Sequence, residues 1–340
     1  MPSTELHEVA RAIVADHKGI LAADESTGTI KKRFDSIAVE STEGNRRFYR
    51  QLLFTAPGIE DSIGGVILYD ETIRQKARNG TSFVEVLKKQ GIIPGIKVDT
   101  GAHDMALLPG EKVTEGLDGL RARLEEYREL GARFAKWRAV ITTGEGIPTD
   151  ACIAANAHAL ARYAALCQEA GLVPIVEPEV LMDGDHTLET CWEVTTRTLH
   201  ETFDALYDLA LDLEGTLLKP NMVIAGKDGP EQPPADRIAE ATIACFLGVV
   251  PAAVPGIVFL SGGQSEVQAT ENLNAINRTG GPWVLSFSYG RALQASALAA
   301  WGGDPANAEA AQAVFVHRAR MNALAVAGEW SAELEQPVTA

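Results

Sequence analysis

Residues 173–180 read VPIVEPEV, an apolar run with two glutamates at alternate positions near its end. Strands that are buried on both faces of a parallel sheet have this nearly continuous apolar composition. Because successive side chains of a strand point to opposite faces, Glu177 and Glu179 share one face. The stretch predicts a buried parallel strand that carries two carboxylates at its carboxyl end.

Seven further runs of the same kind occur along the chain, which makes eight predicted strands. They cover residues 19–26, 64–70, 92–99, 134–140, 215–223, 256–263 and 283–290. Helical patterns lie between them at 117–130, 151–170, 187–213, 231–248, 266–277 and 305–327, after an opening amphipathic helix at 6–14. Thr114 is the predicted cap of the helix at 117–130, and Gly131 marks its predicted end.

Eight strand and helix units over 340 residues favour an α/β fold of the (β/α)8 TIM-barrel type over an open doubly wound sheet. No GxGxxG motif follows the first strand and no P-loop motif occurs, which weakens nucleotide-binding alternatives. No linker interrupts the pattern. We expect a single domain over residues 1–340, with a barrel at about 19–301, an extra N-terminal helix, and a C-terminal helix and tail at 305–340.

The chain has 30 basic and 46 acidic residues, which gives a net charge of −16. An acidic surface repels nucleic acids and anionic membranes, so neither is an expected partner. The four cysteines form no CxxC pair, which is typical of a reducing compartment. No apolar segment has the length of a signal-peptide core or a membrane span. These features predict a cytoplasmic protein.

Charged side chains stand at the predicted strand ends. In a barrel of parallel strands, reactive groups collect where the strands end at the carboxyl side. Five of the runs carry charged residues near their carboxyl ends, at positions that are predicted to face the barrel interior. These residues are Asp24, Lys97, Lys136, Arg138, Glu177, Glu179 and Lys219. Mixed buried charges cost free energy unless they bind a ligand or each other, so the sequence predicts a functional site at this mouth.

Two motifs indicate that the ligand carries phosphate. FLSGGQSE (259–266) places Ser261, Gly262 and Gly263 at the end of one strand, and SFSYGR (286–291) places Ser288, Gly290 and Arg291 at the end of the next. Bare backbone N–H groups at a helix start bind anions, and the last two loops of such barrels are the usual phosphate site. Across the mouth, Lys97 and Arg138 predict a second anionic end, and hence a bisphosphate.

Lys136 and Lys219 are expected to approach each other inside the mouth. Like charges in a buried site disfavour protonation, and a neutral amine can attack a ketone to form a Schiff base. The protonated imine then accepts the electrons that are released when the adjacent C–C bond breaks. No histidine cluster has metal-ligand spacing, and His186 is expected in a loop or helix cap, so no metal or cofactor is predicted.

Seven motifs together resemble the strand ends of class I fructose-1,6-bisphosphate aldolases. They are ILAADESTGTIKKR (20–33), GIKVD (95–99), FAKWRAV (134–140), IVEPE (175–179), LLKPN (217–221), FLSGGQSE (259–266) and SFSYGRALQ (286–294). The resemblance implies a lyase of glycolysis and gluconeogenesis that reversibly cleaves fructose 1,6-bisphosphate to dihydroxyacetone phosphate and glyceraldehyde 3-phosphate. It also implies a metal-independent Schiff-base mechanism and, usually, a homotetramer.

The same resemblance implies a role for each site residue. Lys219 is the Schiff-base lysine, Glu177 is the general acid/base and Glu179 is the second acid. Asp24 handles the proton of the C4 hydroxyl, and Lys136 is the partner lysine. The implied C1-phosphate contacts are Ser261, Gly262, Gly263, Gly290 and Arg291. The implied C6-phosphate end comprises Ser26, Thr29 and Lys97, with Arg138 and Lys32 or Arg33 nearby.

Two features depart from the family pattern. Thr29 stands where serine is frequent, and it keeps the hydroxyl group. Eukaryotic members typically end in a tyrosine that reaches the active site, whereas this chain ends EWSAELEQPVTA (329–340). Its only hydroxyls there are those of Ser331 and Thr339, which are too weakly acidic to protonate a carbanion well. We therefore expect the tail to take no part in the chemistry, and Trp330 is a candidate to pack on the barrel.

Two alternatives stay open from the sequence. Another Schiff-base barrel enzyme, such as a transaldolase or deoxyribose-phosphate aldolase, would share the lysine chemistry, although phosphate contacts at both ends of the mouth favour a bisphosphate. A non-catalytic aldolase-like scaffold would bind cytoskeletal or other partners, but it has no reason to keep four buried charged residues. The loop residues that discriminate fructose 1,6-bisphosphate from fructose 1-phosphate are not identified by the sequence.

Overall fold

The computed structural model of the protein describes residues 3–336. Eight parallel strands close into a barrel, in which each strand pairs with the next along the chain and the last pairs with the first. These strands are β1 (Gly19–Ala22), β2 (Ile63–Leu68), β3 (Ile93–Lys97), β6 (Phe134–Ile141), β7 (Val173–Val180), β8 (Leu217–Leu218), β9 (Gly256–Phe259) and β10 (Val284–Tyr289). The barrel confirms the predicted (β/α)8 fold.

Helices lie between the strands, before the first and after the last. They are α1 (Ser3–Ile13), α2 (Thr27–Asp35), α3 (Glu43–Phe54), α4 (Asp70–Arg74), α5 (Phe83–Lys89), α6 (Leu120–Leu130), α7 (Asp150–Glu169), α8 (Leu188–Asp208), α9 (Ala235–Val249), α10 (Glu266–Thr279), α11 (Arg291–Trp301) and α12 (Ala308–Ala327). Short 3-10 turns occur at Ala15–His17, Ile59–Asp61, Leu213–Gly215, Pro305–Asn307 and Ala332–Glu335. Three helices begin at a hydroxyl cap, whose side chain accepts a hydrogen bond from an amide of the first turn. The caps of α7, α8 and α10 are Thr149, Thr187 and Ser265, respectively.

A two-stranded antiparallel hairpin follows β3, and sequence reasoning did not predict it. Its strands are β4 (Gly101–Asp104) and β5 (Lys112–Glu115). Thr114 lies in β5 and its hydroxyl donates to the Arg138 carbonyl at 2.7 Å, so the prediction that Thr114 caps the next helix is wrong. Helix α6 begins instead after Gly119, whose φ of +67° is left-handed, and it ends at Gly131 as predicted.

The barrel interior is closed at its amino end by α1. Leu6, Ala10 and Ile13 of this helix belong to the same apolar cluster as Phe134 and other inward-facing strand residues. The Phe134 ring fills the barrel so closely that a Cβ added at Gly95 would meet it at 2.2 Å. The carboxyl end of the barrel is therefore the open end. Within the described range, no helix is both long enough and apolar enough to span a membrane.

Strand register fixes which charged residues face one another at the open end. Lys97 of β3 is paired with Lys136 of β6, and Arg138 of β6 with Glu177 of β7. Strand β8 is only two residues long, and single hydrogen bonds continue it past its end. The Lys219 amide donates to the Val176 carbonyl at 2.8 Å, which fixes the backbone of Lys219 beside β7.

The segment after α12 folds back on that helix. Trp330 packs against the core, and its backbone amide donates to Asn274 at 3.1 Å. Its indole N–H donates to Oε1 of Glu335 at 2.7 Å, and Glu335 also forms an ion pair with Arg318 at 2.6 Å. Thr339 and the other residues of the predicted tail beyond 336 lie outside the described residues.

Candidate active site

A cavity of about 650 Å³ opens at the carboxyl end of the barrel. Its wall is formed by residues of β1, β3, β4, β6, β7, β10 and α2, and by residues that directly follow β8 and β9. Every site residue predicted from the sequence lines this cavity except Gly263. The fold therefore brings together residues that are up to 267 positions apart, from Asp24 to Arg291.

Four buried charged groups form a chain of contacts across the cavity floor. The Lys219 amine lies 3.1 Å from Oε1 of Glu177, and the other oxygen of Glu177 lies 3.4 Å from the Lys136 amine. The Lys136 amine also lies 2.8 Å from Oδ2 of Asp24. None of these side chains is more than 11% exposed. Two lysines and two carboxylates therefore balance their charges away from bulk water.

Charge coupling shifts the pKa values in this chain. Burial disfavours the ionised form of Asp24, but Lys136 and Lys219 outweigh it and lower the pKa of Asp24. The same two causes act on Glu177, whose pKa is also lowered. Burial likewise disfavours protonated Lys136, yet Asp24 and Glu177 outweigh it and raise the pKa of Lys136. For Lys136, the carboxylates therefore outweigh the expected effect of the neighbouring lysine, and the amine is protonated at neutral pH.

Two further cations of the cavity are each tethered to a carboxylate. Lys97 donates to Asp99, a residue whose side chain is only 3% exposed, and Arg138 donates to Glu179. Arg138 is the more exposed of the two, at 43%, so its guanidinium reaches toward the cavity opening. Glu179 thus contacts Arg138 rather than either lysine of the floor.

The amino end of α2 forms one rim of the cavity. Ser26 is the cap of this helix, and its hydroxyl accepts from the Thr29 amide at 3.4 Å. The two hydroxyls lie 3.1 Å apart. Both lie with Lys32 on the cavity wall, so the rim offers hydroxyl donors and one lysine.

The loops after β9 and β10 form the opposite rim. Gly262 has a left-handed φ of +56°, and its carbonyl accepts from the Arg291 guanidinium at 2.9 Å. The Ser288 hydroxyl is buried and has no hydrogen-bond partner within residues 3–336. The amide of Gly263 donates to the sulfur of Met182, which explains why this glycine does not line the cavity. This rim presents a free hydroxyl, a guanidinium and the start of α11 to an anion.

Comparison with known proteins identifies the family. A family model described as class-I fructose-bisphosphate aldolase matches residues 5–340. A protein of Xanthomonas campestris, named probable fructose-bisphosphate aldolase class 1, is 59% identical over 332 residues, or 97% of this chain and 99% of that protein. The cytosolic fructose-bisphosphate aldolase 4 of Arabidopsis thaliana is 54% identical over 333 residues, or 97% of this chain and 85% of that protein. The chain belongs to the class-I fructose-bisphosphate aldolase family.

A solved structure agrees with this assignment. The aldolase of Plasmodium falciparum, in a ternary complex with TRAP and a small-molecule inhibitor, superimposes with a TM-score of 0.96 at 49% identity. The match covers 97% of this chain and 96% of the other. As a class-I fructose-bisphosphate aldolase, the chain is a lyase that cleaves a C–C bond of fructose 1,6-bisphosphate reversibly through a lysine Schiff base.

Several residues of this aldolase site were not singled out from the sequence. Asp99 stands in the GIKVD motif but is not among the predicted site residues, although it accepts a hydrogen bond from Lys97. Gly101 and Ala102 line the cavity from the unpredicted hairpin. Glu25, next to Asp24 in the chain, lines the cavity as well. The signal for Asp99 and Glu25 was present, because each is an acidic residue beside an identified strand-end charge.

Two conspicuous polar residues of this aldolase lie apart from the cavity. His186 is buried in the loop before α8, as expected, and does not line the wall. Asn221 accepts from the Val180 amide at 3.0 Å and donates to Thr195 at 3.0 Å, so it joins β7 to α8. In the described part of the chain, no three histidine, cysteine or acidic side chains meet in a metal-binding group.

Proposed function

We propose that Lys219 is the residue that forms the Schiff base with the C2 ketone of fructose 1,6-bisphosphate. The observation that carries this proposal is the unequal pairing of the two lysines. Lys136 contacts both Asp24 and Glu177, which hold its proton by raising its pKa, whereas within residues 3–336 the only carboxylate in contact with the Lys219 amine is that of Glu177. A nucleophilic amine must be neutral, so the lysine with fewer anionic partners is the better candidate.

The neighbouring groups then have distinct proton-transfer roles. Glu177 supplies and removes the protons of carbinolamine dehydration, because its carboxylate contacts the Lys219 nitrogen directly. Asp24 takes the proton of the C4 hydroxyl as the C3–C4 bond breaks. The bonding electrons pass to the iminium, glyceraldehyde 3-phosphate leaves, and an enamine stays on Lys219. Protonation at C3 and hydrolysis of the imine release dihydroxyacetone phosphate and restore the free amine.

Lys136 and Glu179 act on these groups through charge. Protonated Lys136 stabilises the ionised forms of both Asp24 and Glu177, since it lies within 3.4 Å of each. Glu179 contributes as the second acid of the EPE motif by holding Arg138 at the cavity opening.

Reductive trapping tests the Schiff-base assignment. Borohydride with dihydroxyacetone phosphate should covalently modify Lys219 and abolish activity, because reduction traps the imine. The control variant Lys227→Met removes an exposed lysine that pairs with Asp183, and it should be trapped as the wild type is. Peptide mapping that places the adduct on Lys97 or Lys136 would contradict the proposal.

Activity should also survive EDTA, because the iminium serves as the electron sink.

The two cavity rims fit the two phosphates of the substrate. We propose that the C1 phosphate binds at Ser261, Gly262, Ser288, Gly290 and Arg291, with Gly263 in reach only after the Met182 side chain moves. The C6 phosphate would bind at Ser26, Thr29, Lys32, Lys97 and Arg138 on the opposite rim. The unpartnered Ser288 hydroxyl and the backbone start of α11 support the first assignment.

Cellular setting and assembly follow from the family. We propose that the chain acts in the cytoplasm, where its relative from Arabidopsis thaliana is named cytosolic. We further propose a homotetramer of single-domain subunits, for which exposed apolar side chains such as Tyr207 on α8 and Leu247 on α9 offer contact surface. Light scattering should give a mass of about four chains, and calorimetry should give one unfolding transition per subunit.

A further inference from the structure

Glu25 is a buried carboxylate that the proposed reaction does not use. Its side chain is only 4% exposed, and its two oxygens bind two arginines. Oε2 accepts from Arg50 of α3 at 2.6 Å, and Oε1 lies 2.7 Å from Arg33 of α2. Oε1 also accepts from Gln294 of α11 at 3.1 Å. One carboxylate at the cavity wall therefore ties together three helices.

The cluster carries more positive than negative charge. One carboxylate faces two guanidinium groups, so one positive charge has no counter-ion within the cluster. Burial disfavours ionised Glu25, but Arg50 and Arg33 outweigh it and lower its pKa, so the carboxylate is charged at neutral pH. Arg50 is 3% exposed, and its Nη1 has no hydrogen-bond partner among residues 3–336. Arg33 is 23% exposed and lines the cavity, so the excess positive charge of the cluster faces the cavity through Arg33.

Arg33 points to one rim of the cavity in particular. A Cβ added at Gly290 would lie 3.4 Å from Nη2 of Arg33 and 3.3 Å from the Ala22 carbonyl. Gln294 donates to that same carbonyl at 2.9 Å, so the backbone beside Arg33 is itself held by the cluster. The guanidinium thus lies at the start of α11, where Gly290 precedes Arg291. This placement differs from the sequence-based grouping of Arg33 with the C6-phosphate end.

We propose that Glu25 is a positioning residue that holds Arg33 against the phosphate subsite at Gly290, with Arg50 as the buried cation that keeps Glu25 in place. Arg33 then binds the phosphate that fructose 1,6-bisphosphate, fructose 1-phosphate and dihydroxyacetone phosphate share. The inference rests on the proposed C1-phosphate subsite and extends it. It identifies Glu25 as a determinant of affinity for every substrate that carries this phosphate.

A double-mutant cycle tests the proposal. Arg33→Met should raise KM for fructose 1,6-bisphosphate and for fructose 1-phosphate by roughly tenfold or more, the scale of one charge-assisted hydrogen bond. Glu25→Gln should raise both KM values in the same direction, with a smaller change in kcat. In the Arg33→Met background, Glu25→Gln should add less than about twofold, because Glu25 acts through Arg33.

Control variants separate positioning from a general loss of structure. Glu71→Gln removes another glutamate that pairs with an arginine, Arg46, away from the cavity wall, and it should leave KM unchanged. If Glu25→Gln does not fold, Glu25→Asp keeps the charge at a shorter reach and should give an intermediate KM. A KM effect confined to fructose 1,6-bisphosphate would place Arg33 at the other rim and overturn the proposal. Equal effects of Glu25→Gln with and without Arg33 would also overturn it.

Borohydride trapping keeps this result distinct from the proposed catalytic roles. Each variant should still form the reduced adduct at Lys219 when dihydroxyacetone phosphate is saturating. If Glu25→Gln is trapped at Lys219 and its KM values are unchanged, the result contradicts the positioning role of Glu25 and leaves the Schiff-base assignment intact. Loss of trapping at Lys219 in the wild type would contradict the proposed Schiff-base residue, whatever the KM values of the variants.

Discussion

The Lys219 amine lies 3.1 Å from Oε1 of Glu177, and both groups are buried at the carboxyl end of the barrel. A carboxylate in contact with a nucleophilic nitrogen can deliver and remove protons at that nitrogen without the participation of bulk water. The fold itself therefore places the proposed general acid/base against the proposed Schiff-base nitrogen.

Replacement of Glu177 tests that relationship. Glu177→Gln should lower kcat by roughly 10²–10⁴, the usual scale for the loss of a positioned acid/base, and leave KM within a few-fold. The matched control is Glu111→Gln, another buried glutamate, which accepts from Thr149 and does not line the cavity. Steady-state kinetics of both variants give the answer, and a change confined to KM would make Glu177 a binding residue.

The buried carboxylates predict how stability depends on pH. The pKa values of Asp24 and Glu177 are lowered from ordinary values of 3.8 and 4.5. A lowered pKa contributes stability above the ordinary value, and that contribution is lost as pH falls through the folded-state pKa. The free energy of unfolding should therefore fall as pH drops below about 4.5. Lys136 has the opposite sign, because its raised pKa contributes below 10.5 and is lost only at higher pH.

Urea unfolding at several pH values checks this dependence. Asp24→Asn removes one of the two lowered carboxylates, so its unfolding free energy should fall less steeply with acidification than that of the wild type. The exposed Asp236→Asn on α9 serves as the comparison. Parallel curves for the wild type and Asp24→Asn would show that Asp24 is not ionised and paired in the folded protein.

Arg291 should contribute to every substrate with a C1 phosphate. Arg291→Ala should weaken binding of fructose 1,6-bisphosphate and dihydroxyacetone phosphate alike, by roughly 1.5–3 kcal/mol for a lost charge-assisted contact. Arg237→Ala, at an exposed pair with Glu240 on α9, should change neither. Inhibition constants for dihydroxyacetone phosphate measure the effect, and unchanged inhibition would place that phosphate elsewhere.

Truncation after Ser331 should separate turnover from stability. The kcat for fructose 1,6-bisphosphate should stay within about threefold, under ~1 kcal/mol of barrier, because residues 332–336 fold back on α12. Loss of Glu335 leaves Arg318 buried without its carboxylate, so the free energy of unfolding should fall by roughly 1–4 kcal/mol. Glu335→Gln should reproduce the loss of stability. A tenfold fall in kcat of the folded, shortened enzyme would show that the tail reaches the site.

The sequence predicted the barrel because each strand is apolar on both faces and each strand end carries polar groups. VPIVEPEV became β7 with Glu177 and Glu179 at its carboxyl end, and the apolar pattern alone sufficed for that. The β4–β5 hairpin escaped prediction because its residues are partly exposed and lack an apolar run. The place of Thr114 in β5 was not predicted because the partner of its hydroxyl group, the Arg138 carbonyl, is distant in sequence.

Strand periodicity and the strand-end motifs predicted which residues line the cavity, but they did not predict how the charged side chains pair. Whether Lys136 contacts carboxylates depends on where the side chains of Asp24 and Glu177 lie in the folded protein, which strand spacing does not fix. The same holds for Glu25, which follows Asp24 directly yet points to arginines of two helices. Side-chain partners across elements follow from packing rather than from position in the chain.

The brevity of β8 has a consequence for engineering. Pro220 follows Lys219 and has no N–H, so residue 220 cannot extend β8 as a hydrogen-bond donor, although Leu260 still donates to the Pro220 carbonyl at 3.0 Å. Pro220→Val would restore a donor and allow the strand to lengthen. A redesign that selects only for thermal stability would favour this added hydrogen bond, which lies beside the proposed Schiff-base lysine, where added stability commonly costs activity. At β8, thermal stability and catalytic activity are therefore competing objectives for a designer.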